Sequence, residues 1–265
     1  MKIFELIDDE ANVSIGCLLY YEKEKSFIIE LTDTLTEWTA PLLFAEAIKQ
    51  NRFTISRELS LLWVKERIIP SGRQNISSIL ANAHLSTYSE IDFLERSKGK
   101  CSQDHIFLRR VDSLPEFVMK RMQRNLKECV PCGENGLLCF FNDGTVRKND
   151  LHELRQIDGI EKIISNESVL QSGHIVAGGY CVTFNEVIDI SSSLLYDSGI
   201  SVPLSLDDFL CFVKNNMVDS TQGGAILECS RQNLAYLVSK NKLIPVKREV
   251  KGNLYTKGNI FTCFE

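Results

Sequence analysis

The segment Leu138-Cys139-Phe140-Phe141-Asn142-Asp143-Gly144-Thr145-Val146 constrains the fold more than any other stretch of the chain. An apolar run stops at Asp-Gly, a dipeptide that tolerates the positive φ of a tight hairpin turn, and a return strand is expected from Val146 to Leu151. Antiparallel β structure therefore belongs near the centre of the chain. A second hairpin is expected at the start, where Val13 to Tyr21 and Ser26 to Leu31 are strand-like and flank the polar turn Glu22-Lys23-Glu24-Lys25. Helical spacing follows over Pro41 to Gln50, Ile55 to Arg67, Arg73 to Ala83 and Ser89 to Arg96, interrupted at Pro70-Ser71-Gly72, and a strand from His105 to Val111 closes the stretch. Strands and helices in separate runs place the chain in the α+β class.

At 265 residues the chain has room for two or three compact units. We expect an N-terminal α+β module over residues 1–112, a linker helix over 113–131, a small central α+β domain over 132–200 and a C-terminal, mainly helical domain over 203–265. The linker helix starts near Ser113 and Pro115 and sets Phe117, Val118, Met122 and Leu126 on one face. Its basic residues Lys120, Arg121, Arg124 and Lys127 then form a solvated face, a reading we prefer to nucleic-acid contact. In the central domain, helical structure near Asp150 to Gln156 precedes strands at Ile175 to Ala177 and Tyr180 to Phe184, joined by Gly178-Gly179.

A hydrophobic fraction of 44% with 25% charged residues excludes a broadly disordered chain. No apolar run approaches the roughly 18 residues of a membrane span, so the expectation is a soluble, cytoplasmic protein with no membrane partner. Nine cysteines, an odd number, fit reduced thiols better than a disulfide framework. Cys129 and Cys132 stand in Cys-Val-Pro-Cys without a second ligand pair at zinc spacing, so a turn carrying two thiols is the preferred reading and no metal is expected. The net charge of −5 is unevenly spread: from Thr221 onward seven Lys/Arg face three Asp/Glu, leaving −9 on the rest. Only this tail suits a polyanion.

Several central stretches, Leu138 to Gly144, Asp150-Leu151, Val187-Ile188-Asp189-Ile190 and Leu194-Leu195-Tyr196, resemble the bacterial family designated domain of unknown function 2442. The resemblance covers about residues 135–199 and implies a small α+β domain with no definite activity. The region around Gly173-His174 departs from it.

From Thr221 to Val246 the chain reads as two short helices joined by a tight turn, with Ala225 at the crossing and Ile226, Leu234, Leu237 and Val238 as shared core. Ser230 is placed to cap the second helix, which puts Arg231, Gln232 and Asn233 in its first turn. In a helix-turn-helix that end meets base edges, and these are side chains able to make bidentate base contacts. Leu243 to Thr256 then forms a hairpin with a basic tip, followed by Gly258-Asn259-Ile260-Phe261. This arrangement resembles the winged helix-turn-helix domains of the MerR and excisionase group. The resemblance implies DNA contact by the second helix, by Tyr236 or Lys240 further along it, and by Lys247, Arg248 and Lys251 on the wing. Gly223-Gly224 in the first helix and the acidic Glu249 on the wing depart from the pattern. Leu206, Phe209, Leu210 and Val213 give the preceding segment, Pro203 to Met217, an apolar helix face for packing on this domain or a partner subunit.

Arg73 to Leu85 can be laid over Arg231 to Leu243 with four of thirteen positions identical. Either the N-terminal half holds a second helix-turn-helix-like unit, with Arg67 and Arg73 near phosphates, or two amphipathic helices coincide; we favour coincidence. No phosphate-binding loop, nucleophile elbow or zinc-protease helix is present, and no cofactor is implied. Cys101, Asp104 and His105 gather nucleophile, carboxylate and imidazole within five residues, but a polar turn explains them. The expected function is that of a non-catalytic, DNA-binding transcriptional regulator acting on double-stranded DNA, as a homodimer or with a partner protein. The alternative is an interaction adaptor without DNA affinity.

Overall fold

The structure, a computed structural model, describes residues 1–250 and 252–256. It is mixed α+β with antiparallel sheets, and the chain divides into two compact units. The first comprises Met1–Asp143 with Asn149–Ser198, and the second comprises Gly144–Lys148 with the chain from Gly199 onward. Residues 1–112 and most of 132–200 therefore fall in one unit.

The first unit opens with strands β1 (Lys2–Asp8), β2 (Val13–Tyr21) and β3 (Ser26–Leu31), then α1 (Ala45–Lys49), β4 (Thr54–Ile55), α2 (Arg57–Lys65), α3 (Ile76–Asn82), α4 (Glu90–Ser97) and β5 (Ile106–Val111). The strands form one antiparallel sheet in the order β4-β3-β2-β1-β5. β1, absent from the expected pair of strands, lies between β2 and β5. On one face Phe4, Leu6, Leu18 and Ile29 pack against Trp63 and Val64 of α2 and Ile91 and Leu94 of α4. On the other, Ile3, Cys17, Leu19 and Ile28 pack against Val118 and Tyr180. Because both faces are covered, β2 buries six consecutive residues from Ile15 to Tyr20 where a one-sided sheet would alternate.

The expected linker helix is a helix only in its first part. α5 (Glu116–Met122) ends where Asn125 is buried, with its side-chain amide donating to the Gly178 carbonyl at 2.9 Å and its oxygen accepting from Ser192 Oγ at 3.4 Å. From there the chain is strand β6 (Leu126–Pro131), paired with β7 (Gly136–Phe141). Leu126, expected on the helix face, is buried in the central core with Leu137, Cys139, Phe141, Phe184 and Ile190. Of the basic residues, Lys120, Arg124 and Lys127 are solvent-exposed, as expected, and Arg121 departs from that reading. Arg121 is half-buried between the fully buried Glu30, at 2.9 Å, and Asp33, and donates to the Leu31 carbonyl at 2.7 Å. Lys120 pairs with Glu116 at 3.0 Å and Arg124 with Asp197 at 3.6 Å.

The Asp143-Gly144 turn occurs where expected, with Gly144 at φ +84°, and leads into β8 (Val146–Asp150). Then follow α6 (Ile160–Ile164), α7 (Glu167–Gln171), β9 (His174–Ile175), β10 (Cys181–Phe184), β11 (Ile188–Ser191) and α8 (Ser192–Ser198). β11, β10 and β9 form an antiparallel sheet over the central core. Gly179, at φ +72°, marks a close approach, since a Cβ there would stand 2.1 Å from the Leu126 carbonyl oxygen. Arg57 of α2 grips Asp189 of β11 through two bonds of 2.7 and 2.8 Å and reaches Thr183 at 3.2 Å, so the central core and the N-terminal sheet are pinned by a bidentate ion pair.

The second unit holds β12 (Ile200–Val202), paired antiparallel with residues 146–148 of β8, then α9 (Leu206–Asn216), β13 (Met217–Val218), α10 (Ser220–Ile226), α11 (Arg231–Ser239), β14 (Lys247–Val250) and β15 (Gly252–Thr256). The last three strands form an antiparallel sheet in the order β13-β15-β14. Val218, Leu234, Leu237, Leu243 and Tyr255 form its buried core, with Ile226 and Val238 at the margin. No helix among the described residues is long and apolar enough to cross a membrane.

Candidate nucleic-acid interface

α10 and α11 are fixed at their starts by side-chain caps. Asp219 caps α10 by accepting from the Thr221 and Gln222 N–H groups at 2.7 and 2.8 Å, while the Gln222 side chain accepts from the Asp219 N–H at 3.3 Å. The Gln222 N–H, the Thr221 N–H and the nearby Arg231 charge hold the Asp219 carboxyl below its ordinary range. Ser230 caps α11, accepting from the Asn233 N–H at 3.2 Å, as its position in the sequence predicts.

The crossing of the two helices corrects one expectation. Ala225 is exposed, and the buried residues of α10 are Gly223 and Gly224. A Cβ on Gly224 would stand 2.9 Å from the Cys229 carbonyl oxygen, so the missing side chain allows the turn into α11 to pack against α10. The glycines that lower helix propensity are the ones that let the helices meet. Within that turn Glu228 has φ +51°, a left-handed conformation that costs a non-glycine residue about 1–2 kcal/mol. Glu228→Gly should therefore stabilise the second unit by about 0.5–1 kcal/mol once the entropy of the unfolded glycine is subtracted, as read from the urea midpoint.

α11 buries Leu234 and Leu237 and exposes Arg231, Gln232, Asn233, Ala235, Tyr236 and Ser239, with the exposed Lys240 as its C-cap. Gln232, Tyr236 and Lys240 recur every fourth residue on one stripe, and the Lys240 ammonium lies 5.7 Å from the Tyr236 ring centre. Arg231 is committed within the unit: its guanidinium donates to Thr221 Oγ1, beside the cap of α10. Lys247 and Arg248 on β14 are exposed, as is Lys242 after α11. Lys251 and the segment Gly258 to Phe261 lie outside the described residues. Of the candidate contact residues, the structure thus brings Arg231, Gln232, Asn233, Tyr236 and Lys240 onto one helix with Ser230 as its cap, and places Lys247 and Arg248 on the adjoining hairpin. Sequence reasoning missed Asp219; the signal was an Asp followed three residues later by Gln, just before the helix.

Other candidates resolve differently. Arg67, which a second helix-turn-helix-like unit would set near phosphate, is buried, stacked 3.7 Å over the Trp63 ring and paired with Asp104. α3 buries none of its residues, unlike α11, so the likeness of the two segments is one of spacing alone. Cys101 lies 3.7 Å from Asp104, but that carboxylate serves Arg67, and His105 faces Glu10 at 3.1 Å; the three groups do not converge. Among the described residues no group of His, Cys, Asp and Glu is arranged to hold a metal ion. The first unit also contains a cleft of about 820 Å³ lined by Arg52, Arg57, Lys120, Arg121 and Arg124. Four of these five cations are already paired with carboxylates, which leaves little charge for an anion. Compared with known protein families, curated proteins and solved structures, the chain finds no match.

Proposed function

We propose that the chain is a DNA-binding protein whose residues 203–265 form a winged helix-turn-helix, and that it acts as a transcriptional regulator reading the major groove of double-stranded DNA with α11. The observation that carries this reading is the strand order β13-β15-β14 around α10 and α11. A short strand ahead of a helix pair closes on the far strand of the hairpin behind it, and Tyr255 of that strand is buried in one core with Leu234 and Leu237. The basic hairpin is therefore fixed with respect to the second helix, as a wing that tracks the backbone beside the reading helix must be. Base edges fall to Gln232, Asn233 and Arg231 at the capped end, and phosphates to Lys240, Lys247, Arg248 and Lys251. Residues 1–200 supply dimerisation or partner sensing.

The test is a selection of preferred sites from random duplexes with the full chain and with Arg231→Ala. Arg231 can reach guanine only by leaving Thr221, so its bidentate contact contributes at the low end of about 1–3 kcal/mol of discrimination, and its removal should flatten preference at one base position by about fivefold or more. An unchanged preferred sequence would remove Arg231 from base reading. A second reading, an adaptor without DNA affinity, is favoured by the exposed Phe209 at 41%, Leu210 at 52%, Ile244 at 63% and Val246 at 57%, an apolar set that suits a protein partner. Absence of any duplex binding at about 50 mM salt, where counterion release favours binding, would overturn the first reading and give weight to the adaptor.

A further inference from the structure

Cys129 of β6 and Cys139 of β7 are direct cross-strand partners, and their sulfurs lie 3.6 Å apart. Directly opposed residues of antiparallel strands have Cα atoms about 4.5–5.5 Å apart, inside the about 4.4–6.8 Å that a disulfide spans. Turning the two side chains is enough to bring the sulfurs to bonding distance, and the backbone can stay where it is. Cys132, the other thiol of Cys-Val-Pro-Cys, lies one residue past the end of β6 at a position of opposite parity in the pleat. Its N–H is bonded to the Gly136 carbonyl at 2.8 Å, closing the β6–β7 turn.

We propose that Cys129 and Cys139 form a dithiol–disulfide pair, a modification site oxidised by low-molecular-weight disulfides and entered through Cys129. The surroundings set the order of events. Cys139 is fully buried, whereas Cys129 is half-buried and within reach of a small oxidant. The hydrogen bond with Cys129 and burial both push the Cys139 thiol well up, so it does not begin the exchange. The Cys129 thiolate attacks one sulfur of the small disulfide, whose S–S bond breaks and releases one thiolate, leaving a mixed disulfide on Cys129. Cys139 then gives up its proton and attacks the Cys129 sulfur, expelling the second small thiolate. Two protein thiols are oxidised by two electrons to one disulfide, and the two expelled thiolates take up the two protons that the cysteines release. The Asn149 side-chain amide, 3.7 Å from the Cys139 sulfur, is the donor that favours the thiolate needed in this second step.

The experiment uses the full chain, incubated with glutathione disulfide, alkylated, and digested without reduction by a protease that cuts after glutamate. Cuts after Glu128 and Glu134 separate Cys129 and Cys132 from Cys139. The expected result is a linked pair of peptides about 2 Da lighter than the sum of its parts, with one alkylated cysteine in the shorter peptide. The link should persist in Cys132→Ser and disappear in Cys129→Ser and Cys139→Ser. A disulfide confined to the peptide holding Cys129 and Cys132, a link that survives Cys129→Ser, or alkylation of both Cys129 and Cys139 after the incubation would each overturn the proposal.

Discussion

Arg121→Ala should cost the first unit about 3–5 kcal/mol, the typical effect of removing one partner from a buried ion pair. Glu30 sits in the middle of β3 between Ile29 and Leu31, fully buried, and its charge is met by Arg121 at 2.9 Å and by the Thr54 hydroxyl at 2.9 Å. Burial still outweighs these partners and raises the Glu30 carboxyl above its ordinary value. The variant loses the Arg121 bonds to Asp33 and to the Leu31 carbonyl, and the stacking of its guanidinium 5.2 Å from the Phe117 ring and 5.4 Å from that of Phe53. Above all it leaves a carboxylate in an apolar sheet, which the protein can relieve only by protonating it. The sign of the pH dependence follows. A carboxyl whose folded pKa is raised contributes stability below its unfolded value of 4.5, and that contribution is lost as pH rises through the folded value. Arg121→Ala raises the folded value further, so the deficit against the parent should be smallest near pH 5 and grow toward pH 8. Urea unfolding at both pH values checks this, and Arg121→Ala with Glu30→Leu should regain much of the loss because no buried charge remains. A deficit below about 1 kcal/mol at both pH values would show that Arg121 contributes no more than a partner in an exposed ion pair.

That ion pair also shows where sequence reading stops. Glu30 and Arg121 stand 91 residues apart, and nothing local marks either as the other's partner; helical spacing groups Arg121 with the exposed Lys120 and Arg124, and only the sheet beneath it sets it apart. β2, β3, the Asp143-Gly144 turn and the Ser230 cap were legible because each rests on spacing or side-chain chemistry within a few residues. β1 was not, because its apolar pairs Ile3-Phe4 and Leu6-Ile7 recur every third residue, a spacing that does not alternate and sits closer to a helical period. β6 was hidden because Leu126 lies four residues after Met122 and so continues the helical period of α5, although its side chain belongs to another core. The candidate interface divides in the same way. The exposed face of α11 follows from its periodicity, whereas the bond from Arg231 to Thr221 depends on how α10 and α11 cross, which the burial of Gly223 and Gly224 decides and propensity alone argues against.

Binding of the full chain to duplex DNA should fall steeply with salt, and charge reversal on β14 should remove much of that dependence. Arg231, Lys240, Lys242, Lys247 and Arg248 are the exposed cations among the described residues from 221 onward. About three to five phosphate contacts per copy give a slope of log affinity against log salt of about −3 to −4.5, and twice that for a dimer on two half-sites. Between 50 and 200 mM salt a single copy then loses on the order of 10²-fold in affinity. Lys247→Glu with Arg248→Glu deletes two contacts and sets two carboxylates against the same phosphates, so affinity in low salt should drop on the order of 10²-fold and the slope should become shallower by about two per copy. Preference among sequences should change little, since these residues would meet backbone and not base edges. The first unit carries 20 Lys/Arg against 29 Asp/Glu and repels DNA wherever it faces it, so the measured slope reports the second unit's cations and not a general attraction to the chain. Fluorescence anisotropy with a labelled duplex across a salt series decides the matter. If reversing both charges leaves slope and affinity unchanged, β14 is no wing, and the exposed Ile244 and Val246 just before it gain weight as a surface for a protein partner.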